Sequence, residues 1–279
     1  MLNLVTQRPD SSVPPSPTEG GAGVTVWRDN DGAVAGYGSS NGPKKWIHLP
    51  GVGAFRFEPG SAEVVAFPLA SASSHLVRDA FNRSVLPLAL QGVGHEVLHA
   101  SAVLARERVV ALCAVSGTGK STIACALDRR GHPLWADDAV CFDASSVPIT
   151  AVSLPFVLRL RPASAEYFAA NENGRREQFS ATSSRPELGA VVVLERSEPE
   201  AEPVLSRLTA SEAFTATLTH AYAFDTEDRV RNARMVSSYL ELVDRVPVFR
   251  LRFSPGLERL PEIVDLLERA LGNTLPSAA

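Results

Sequence analysis

The sequence predicts an α/β protein with a small N-terminal antiparallel β region ahead of a larger α/β part. Three observations predict it. Short strand-like pieces separated by turn residues fill residues 24–94. An apolar strand, a glycine-rich turn and a helix follow one another from Val109 to Leu127. Beyond them, apolar strand patterns alternate with helical ones. The chain has 279 residues and 45% hydrophobic content, enough for a sizeable core.

The elements read in order. Residues 8–23 are rich in Pro, Ser, Thr and Gly, and residues 1–23 read as a flexible N-terminal arm. Strand-like pieces follow at Val24–Trp27, Ala33–Tyr37, Lys45–Leu49, Ala54–Glu58 and Ala62–Phe67. They are punctuated by Asn30-Asp31-Gly32, Asn41-Gly42-Pro43 and Pro59-Gly60. Apolar positions in His75–Leu90 recur at helical spacing, and Pro87 predicts a break there. These pieces make residues 24–94 the β-rich region, and residues 95–279 the main domain.

Val97–Leu104 and Arg108–Val115 read as two strands turning at Arg106 and Glu107, and a helix spans residues 120–129 with Gly131 at its end. Ala139–Phe142 continues as a strand. Val152–Leu160 reads as a strand broken by Pro155, and Ala163–Ala170 as a short helix. Asn171–Glu187 is polar and aperiodic, a long loop. Gly189–Glu195 is a strongly apolar strand. Ser211–His220 and Val230–Val243 are helical, Val246–Phe253 is a strand, and a last helix covers Pro261–Leu271 with Pro261 suited to its first turn.

Composition narrows the function. The net charge is −4 and no basic face is evident, so nucleic acid is not an expected partner. No run of about 18 uncharged apolar residues predicts a membrane span, and the first residues have no apolar signal-peptide core, so the expected location is the cytoplasm. Cys113, Cys125 and Cys141 sit in apolar patterns without metal-ligand spacing and read as buried small residues.

The chemistry concentrates in Ala114-Val115-Ser116-Gly117-Thr118-Gly119-Lys120-Ser121, a near-complete Walker A loop in its strand–turn–helix context. Backbone N–H groups of Ser116, Gly117, Thr118, Gly119 and Lys120 are suited to cradle phosphate, with Thr122 at the start of the helix behind them. Lys120 supplies a charge toward the β- and γ-phosphates, and Ser121 a hydroxyl for Mg²⁺. Asp137 and Asp138 follow after one helix and a short crossover. One is expected to hold the metal and the other to accept a proton from a substrate hydroxyl. His99 lies in the strand preceding the one that feeds the loop, near the expected phosphates. His48, His75 and His220 belong to no constellation. Arg159, Arg161 and Arg250 stand near strand ends as candidates to stabilise phosphoryl charge, and the loop with Arg175, Arg176 and Arg185 as a candidate anion or peptide contact.

Leu98-His99-Ala100-Ser101-Ala102-Val103, Ser116-Gly117-Thr118-Gly119-Lys120-Ser121-Thr122 and Arg130-Gly131-His132-Pro133-Leu134-Trp135-Ala136-Asp137-Asp138 together resemble the HPr kinase/phosphorylase superfamily. The closest likeness is to HPr-kinase-like proteins of peptide-modification systems, some resembling lasso-peptide kinases. The likeness is strongest over residues 95–143. It implies a P-loop kinase core of the HPr-kinase type, ATP and Mg²⁺ as cofactors, and transfer to a serine of a peptide or small protein, such as a natural-product precursor peptide. It implies His99 beside the phosphates, Lys120 and Ser121 on nucleotide and metal, Asp137 with the metal and Asp138 as base. It also implies a homo-oligomer. Ala114 replaces the usual glycine, Thr122 stands where bifunctional enzymes carry an acidic residue, and their long glycine-rich signature has no counterpart. A reverse phosphorylase reaction and HPr as substrate are therefore not expected. A small-molecule alcohol kinase and a non-catalytic nucleotide-binding regulatory protein are the alternative readings. No Asn-Lys-x-Asp guanine motif is present.

Overall fold

A computed structural model describes residues 2–7, 13, 24–28, 33–171, 178–179, 182–224 and 228–274. The fold is mixed α/β, and the chain divides into two units. Met1–Val97 with Tyr222–Met235 forms the first, and Leu98–Ala221 with Val236–Ala279 the second.

The first unit is built on one six-stranded sheet. Its strands are β1 (Asn3–Thr6), β2 (Val24–Arg28), β3 (Val34–Asn41), β4 (Lys44–Leu49), β5 (Gly53–Phe57) and β6 (Glu63–Pro68), in the order β1-β6-β5-β4-β3-β2. All pairings are antiparallel except β1 with β6. Asn3–Thr6 thus forms a strand within the stretch read as an arm. The turn read at Asn30-Asp31-Gly32 lies outside the described residues. Between β3 and β4 the pair Asn41↔Lys44 leaves Gly42 and Pro43 as a two-residue turn, with Gly42 at φ +59°. That angle is open to glycine at no steric cost. Trp46, Ala54, Val65 and Phe67 form a buried cluster on one face. The Arg56 guanidinium lies 5.7 Å from the Trp46 ring centre and 5.4 Å from that of Phe67. The helical stretch after the sheet is α1 (Ser74–Ala80), a π-helical turn at Phe81–Val85 and α2 (Leu86–Gln91). Pro87 opens α2 rather than kinking it. The helical run changes its hydrogen-bond register at the π-helical turn, directly before the position where proline supplies no N–H. Strand β7 (Glu96–Leu98) leads to the second unit.

The second unit carries β8 (Ala100–Ala105), β9 (Arg108–Cys113), α3 (Lys120–Arg129), β10 (Leu134–Ala136), β11 (Val140–Asp143), β12 (Thr150–Val152), β13 (Phe156–Val157), α4 (Pro162–Asn171) and β14 (Gln178–Phe179). It continues with β15 (Leu188–Arg196), β16 (Val204–Arg207), α5 (Ala210–Leu218), α6 (Arg229–Arg245, from Val236 onward in this unit), β17 (Val248–Phe253) and α7 (Leu260–Thr274). Its main sheet runs β10-β8-β9-β15-β17-β16. The middle three strands are parallel, β15 pairing with β9 on one side and β17 on the other. β9 and β15 read as near-continuous apolar runs because helices cover them, whereas β17 alternates through Arg250 and Arg252. α3 and α7 bury Ile123, Leu127, Ile263 and Leu267 against Val110, Val192 and Leu251.

The β8–β9 connection is a two-residue turn whose residues, Arg106 and Glu107, both have positive φ (48° and 62°). Right-handed strand twist selects such a mirror-image turn. The strand read over Val97–Leu104 is interrupted at His99, because Leu98 bridges Ala221 instead of continuing the ladder. The strand read over Val152–Leu160 is two short pieces, β12 and β13. The edge strand β16 has no counterpart in the sequence reading; its mostly exposed side chains give no clean alternation. α5 starts with a reciprocal cap between Thr209 and Glu212.

Candidate functional site

Strand β9 carries the chain fully buried to Cys113 and Ala114, and the glycine-rich loop then turns into α3. Gly117 at φ +84° and Gly119 at φ +130° hold conformations that side chains oppose. At 117 an added Cβ would lie 2.8 Å from Arg161 Nη2, so the guanidinium would have to move aside. Arg196, from the end of β15, donates to the Gly117 carbonyl at 2.6 Å. The first turn of α3 has no side-chain cap, so its free N–H groups and dipole face the loop.

Lys120 opens α3 and is only 7% exposed. Its ammonium donates to the Ala114 carbonyl at 2.9 Å and to His99 Nε2 at 3.1 Å. His99 Nδ1 lies 3.0 Å from the Asp138 carbonyl. A carbonyl only accepts, so Nδ1 bears the proton and Nε2 offers its lone pair to Lys120. Burial lowers the His99 pKa and Lys120 lowers it further, against the opposing effect of Asp138 and its carbonyl. Burial also lowers the Lys120 pKa, and Asp138 is the largest of the groups that oppose this.

The aspartates part company at a left-handed residue. Asp138 has φ +66°, which breaks strand alternation after β10. Asp137 turns inward and is 6% exposed, whereas Asp138 lines a cavity. Asp137 Oδ1 accepts from Ser101 Oγ at 2.6 Å and from Ser121 Oγ at 2.8 Å, and Oδ2 accepts the Arg159 N–H at 3.1 Å. Burial raises the Asp137 pKa. The Ser101 bond is the largest opposing influence, Asp138 adds to the rise, and the Ser121 and Arg159 bonds lower it.

The cavity measures about 360 Å³ and includes residues 116–123 of the loop and α3. His99, Lys120, Asp138, Arg159, Arg161 and Arg196 supply its charged and imidazole groups, and Phe253 and Leu257 its apolar wall. It sits at the carboxyl ends of the parallel strands β9, β15 and β17, where open α/β sheets bind ligands. The segment before and into α4 is tied onto it at three points. The Arg159 N–H reaches Asp137, the Arg161 guanidinium covers Gly117, and Ser164 Oγ lies 3.0 Å from Thr122 Oγ1. A larger depression of about 570 Å³ between α5 and α6 holds none of the residues singled out by sequence.

The structure therefore brings Ser116, Gly117, Thr118, Gly119, Lys120, Ser121, Thr122, His99 and Asp138 to one cavity, with Asp137 directly behind Ser121. Arg159 and Arg161 join them. Arg250 does not: its guanidinium pairs with Glu195 at 3.2 Å. Arg185 lies 3.9 Å from Asp143, and Arg175 and Arg176 lie outside the described residues. Sequence reasoning missed three participants. Ser101 is a lone polar residue in an apolar strand, a signal that was available. Arg196 follows the apolar run of β15 directly. His220, assigned to no constellation, is buried and gives its carbonyl to the His99 N–H at 2.7 Å. Its imidazole pKa is lowered to about 4, first by burial and then by His99 and Lys120.

Among the described residues no three His, Cys, Asp or Glu side chains form a metal cluster, and no helix is long and apolar enough to cross a membrane. No protein-family model matches the chain, and no curated protein sequence does. Among solved structures it is similar to the HPr(Ser) kinase/phosphatase from Coxiella burnetii. That likeness is distant, with 13% identity and a TM-score of 0.35, over 63% of this chain and 98% of the other.

Proposed function

We propose that this chain is an ATP-dependent serine kinase acting on a peptide or small protein. One observation carries the reading: a buried lysine, a serine–aspartate pair and a second, cavity-facing aspartate converge on a glycine-rich loop at a helix N-terminus.

The residues present fit a nucleotide triphosphate with Mg²⁺. Gly117 and Gly119 hold the positive φ angles that such a loop needs, and α3 adds its positive end. Lys120, Arg161 and Arg196 make the cavity cationic. Ser121 and Asp137 would hold the cation. One hydroxyl and one carboxylate suffice for Mg²⁺, which keeps waters and takes phosphate oxygens for its other positions. When bound, ATP·Mg²⁺ supplies the phosphoryl group and neutralises its charge.

The chain's own groups then have separate tasks. Asp138 would accept the proton of the acceptor serine hydroxyl as that oxygen bonds to phosphorus and the bond from phosphorus to ADP breaks, ADP leaving. Lys120 and Arg161 stabilise charge on the phosphoryl oxygens. His99, neutral and hydrogen-bonded on both nitrogens, steers Lys120 and is not itself the base. The choice of serine and of a peptide acceptor rests on the family resemblance of residues 95–143.

The test is incubation of the purified chain with Mg²⁺, ATP and a panel of precursor peptides and free alcohols, with products read by mass. The expected result is a serine peptide heavier by one phosphoryl group, and loss of that product in Lys120→Ala. A product only from a free alcohol would assign a metabolite kinase. Nucleotide binding with every acceptor unmodified would favour the regulatory reading.

A further inference from the structure

The geometry points to Ser101 as a positioning residue for the divalent cation, acting through Asp137. This rests on the phosphotransferase reading of the site. Ser101 lies in β8, where its neighbours Ala100, Ala102 and Val103 are fully buried and apolar. A hydroxyl in such a place costs stability unless it is hydrogen-bonded. Ser101 is 0% exposed and spends its proton on Asp137 Oδ1 at 2.6 Å. Its oxygen is also 3.4 Å from Ser121 Oγ. It therefore touches both groups that would ligate the cation.

The three donors on Asp137 are not equivalent. The Arg159 N–H is backbone and fixes Oδ2. Ser121 shares its hydroxyl between Oδ1 and the expected cation. Ser101 alone is a side-chain donor with no ligand task. It holds Oδ1 against rotation while Ser121 engages metal. Partners that orient ligating carboxylates are worth about 10–100-fold in metal affinity.

The experiment measures Mn²⁺ affinity by electron paramagnetic resonance, on the full chain saturated with a non-hydrolysable ATP analogue. A fluorescent ATP analogue in EDTA reports nucleotide binding without metal. Ser101→Ala is expected to weaken Mn²⁺ binding about tenfold while metal-free nucleotide affinity and the thermal midpoint hold. Ser101→Cys keeps the shape but replaces the hydroxyl by a weak donor, and is expected to lose most of the same affinity. A role in packing alone predicts that Cys restores full metal affinity, and that result would overturn the inference. Unchanged Mn²⁺ affinity in Ser101→Ala would overturn it equally. If the unsubstituted chain holds Mn²⁺-nucleotide no better than Lys120→Ala does, the phosphotransferase reading itself fails, and the Ser101 role falls with it.

Discussion

The six-stranded sheet of the first unit and the cavity end of the second follow different rules. In the sheet, turn chemistry and the burial of large apolar residues agree, although β4 and β6 are buried in continuous runs. Gly42 takes the left-handed angle, and Trp46 and Phe67 face the core. At the cavity end the rules are broken together. A lysine is buried, an aspartate adopts φ +66°, two neighbouring carboxylates point different ways, and a hydroxyl sits inside an apolar strand. Local conflicts of this kind gather where a chain does chemistry, since they cost stability and are retained only if the surroundings enforce them. Substitutions in the two regions should therefore separate stability from activity.

Asp138→Asn should give the largest effect of all. Asparagine tolerates positive φ as well as aspartate does, so the turn at 138 is kept. The carboxylate is lost. Transfer should fall by about 10²–10⁴-fold if Asp138 is the general base, with nucleotide binding and the thermal midpoint nearly unchanged. Steady-state kinetics beside calorimetric titration of the nucleotide would check it. A loss confined to nucleotide affinity would move Asp138 out of the base role.

Trp46→Ala should show the reverse. Trp46 is 1% exposed and packs 5.6 Å from Phe67, centroid to centroid. Removing a buried aromatic costs about 3–5 kcal/mol. Denaturant titration should show that loss, while the folded fraction transfers phosphate at the ordinary rate.

The same contrast explains what sequence could reveal. The sheet strands and the glycine-rich loop were legible because their signals are local: turn residues every few positions, and a loop whose glycines, lysine and serine are consecutive. His99, Lys120, Ser121, Asp137 and Asp138 were named from such signals and lie together in the fold. Ser101, Arg196 and His220 reach the same place from β8, β15 and the end of α5. Ser101 stands out as a polar residue in an apolar strand, but its partner Asp137 is set by tertiary contact, and the neighbourhood is created by the antiparallel pairing of β8 with β9 and the parallel pairing of β9, β15 and β17. The break at His99 was hidden for the same reason: its cause is a bridge between Leu98 and Ala221.

Acid should affect the cavity end through His220. Its pKa falls from 6.5 to about 4 on folding, by burial first and then through His99 and Lys120. The folded chain keeps it neutral, so the stability this confers is complete above about pH 6.5 and drains away as the pH falls toward 4. His48, in the sheet, shifts the same way through burial alone. Thermal midpoints measured from pH 7 to pH 4 should decline less steeply in His220→Gln than in the unsubstituted chain. Parallel slopes would show that the imidazole protonates without cost.

Two serines give the smallest and sharpest comparison. Ser73 caps α1, accepting the Leu76 N–H at 3.2 Å on an exposed surface. Ser73→Ala should cost about 1 kcal/mol and leave metal and nucleotide affinity untouched. Ser101→Ala removes a hydroxyl of the same size from a site with no exposure. Its partner Asp137 Oδ1 keeps the Ser121 bond, so no buried acceptor is stranded and the stability change should stay within about 1 kcal/mol. The cation should nevertheless bind more weakly. Chemical denaturation and Mn²⁺ titration on both variants would therefore give opposite patterns. If both serines moved stability alone, the buried hydroxyl would be a packing feature of β8, and the rule-breaking at the cavity end would extend no further than Asp137.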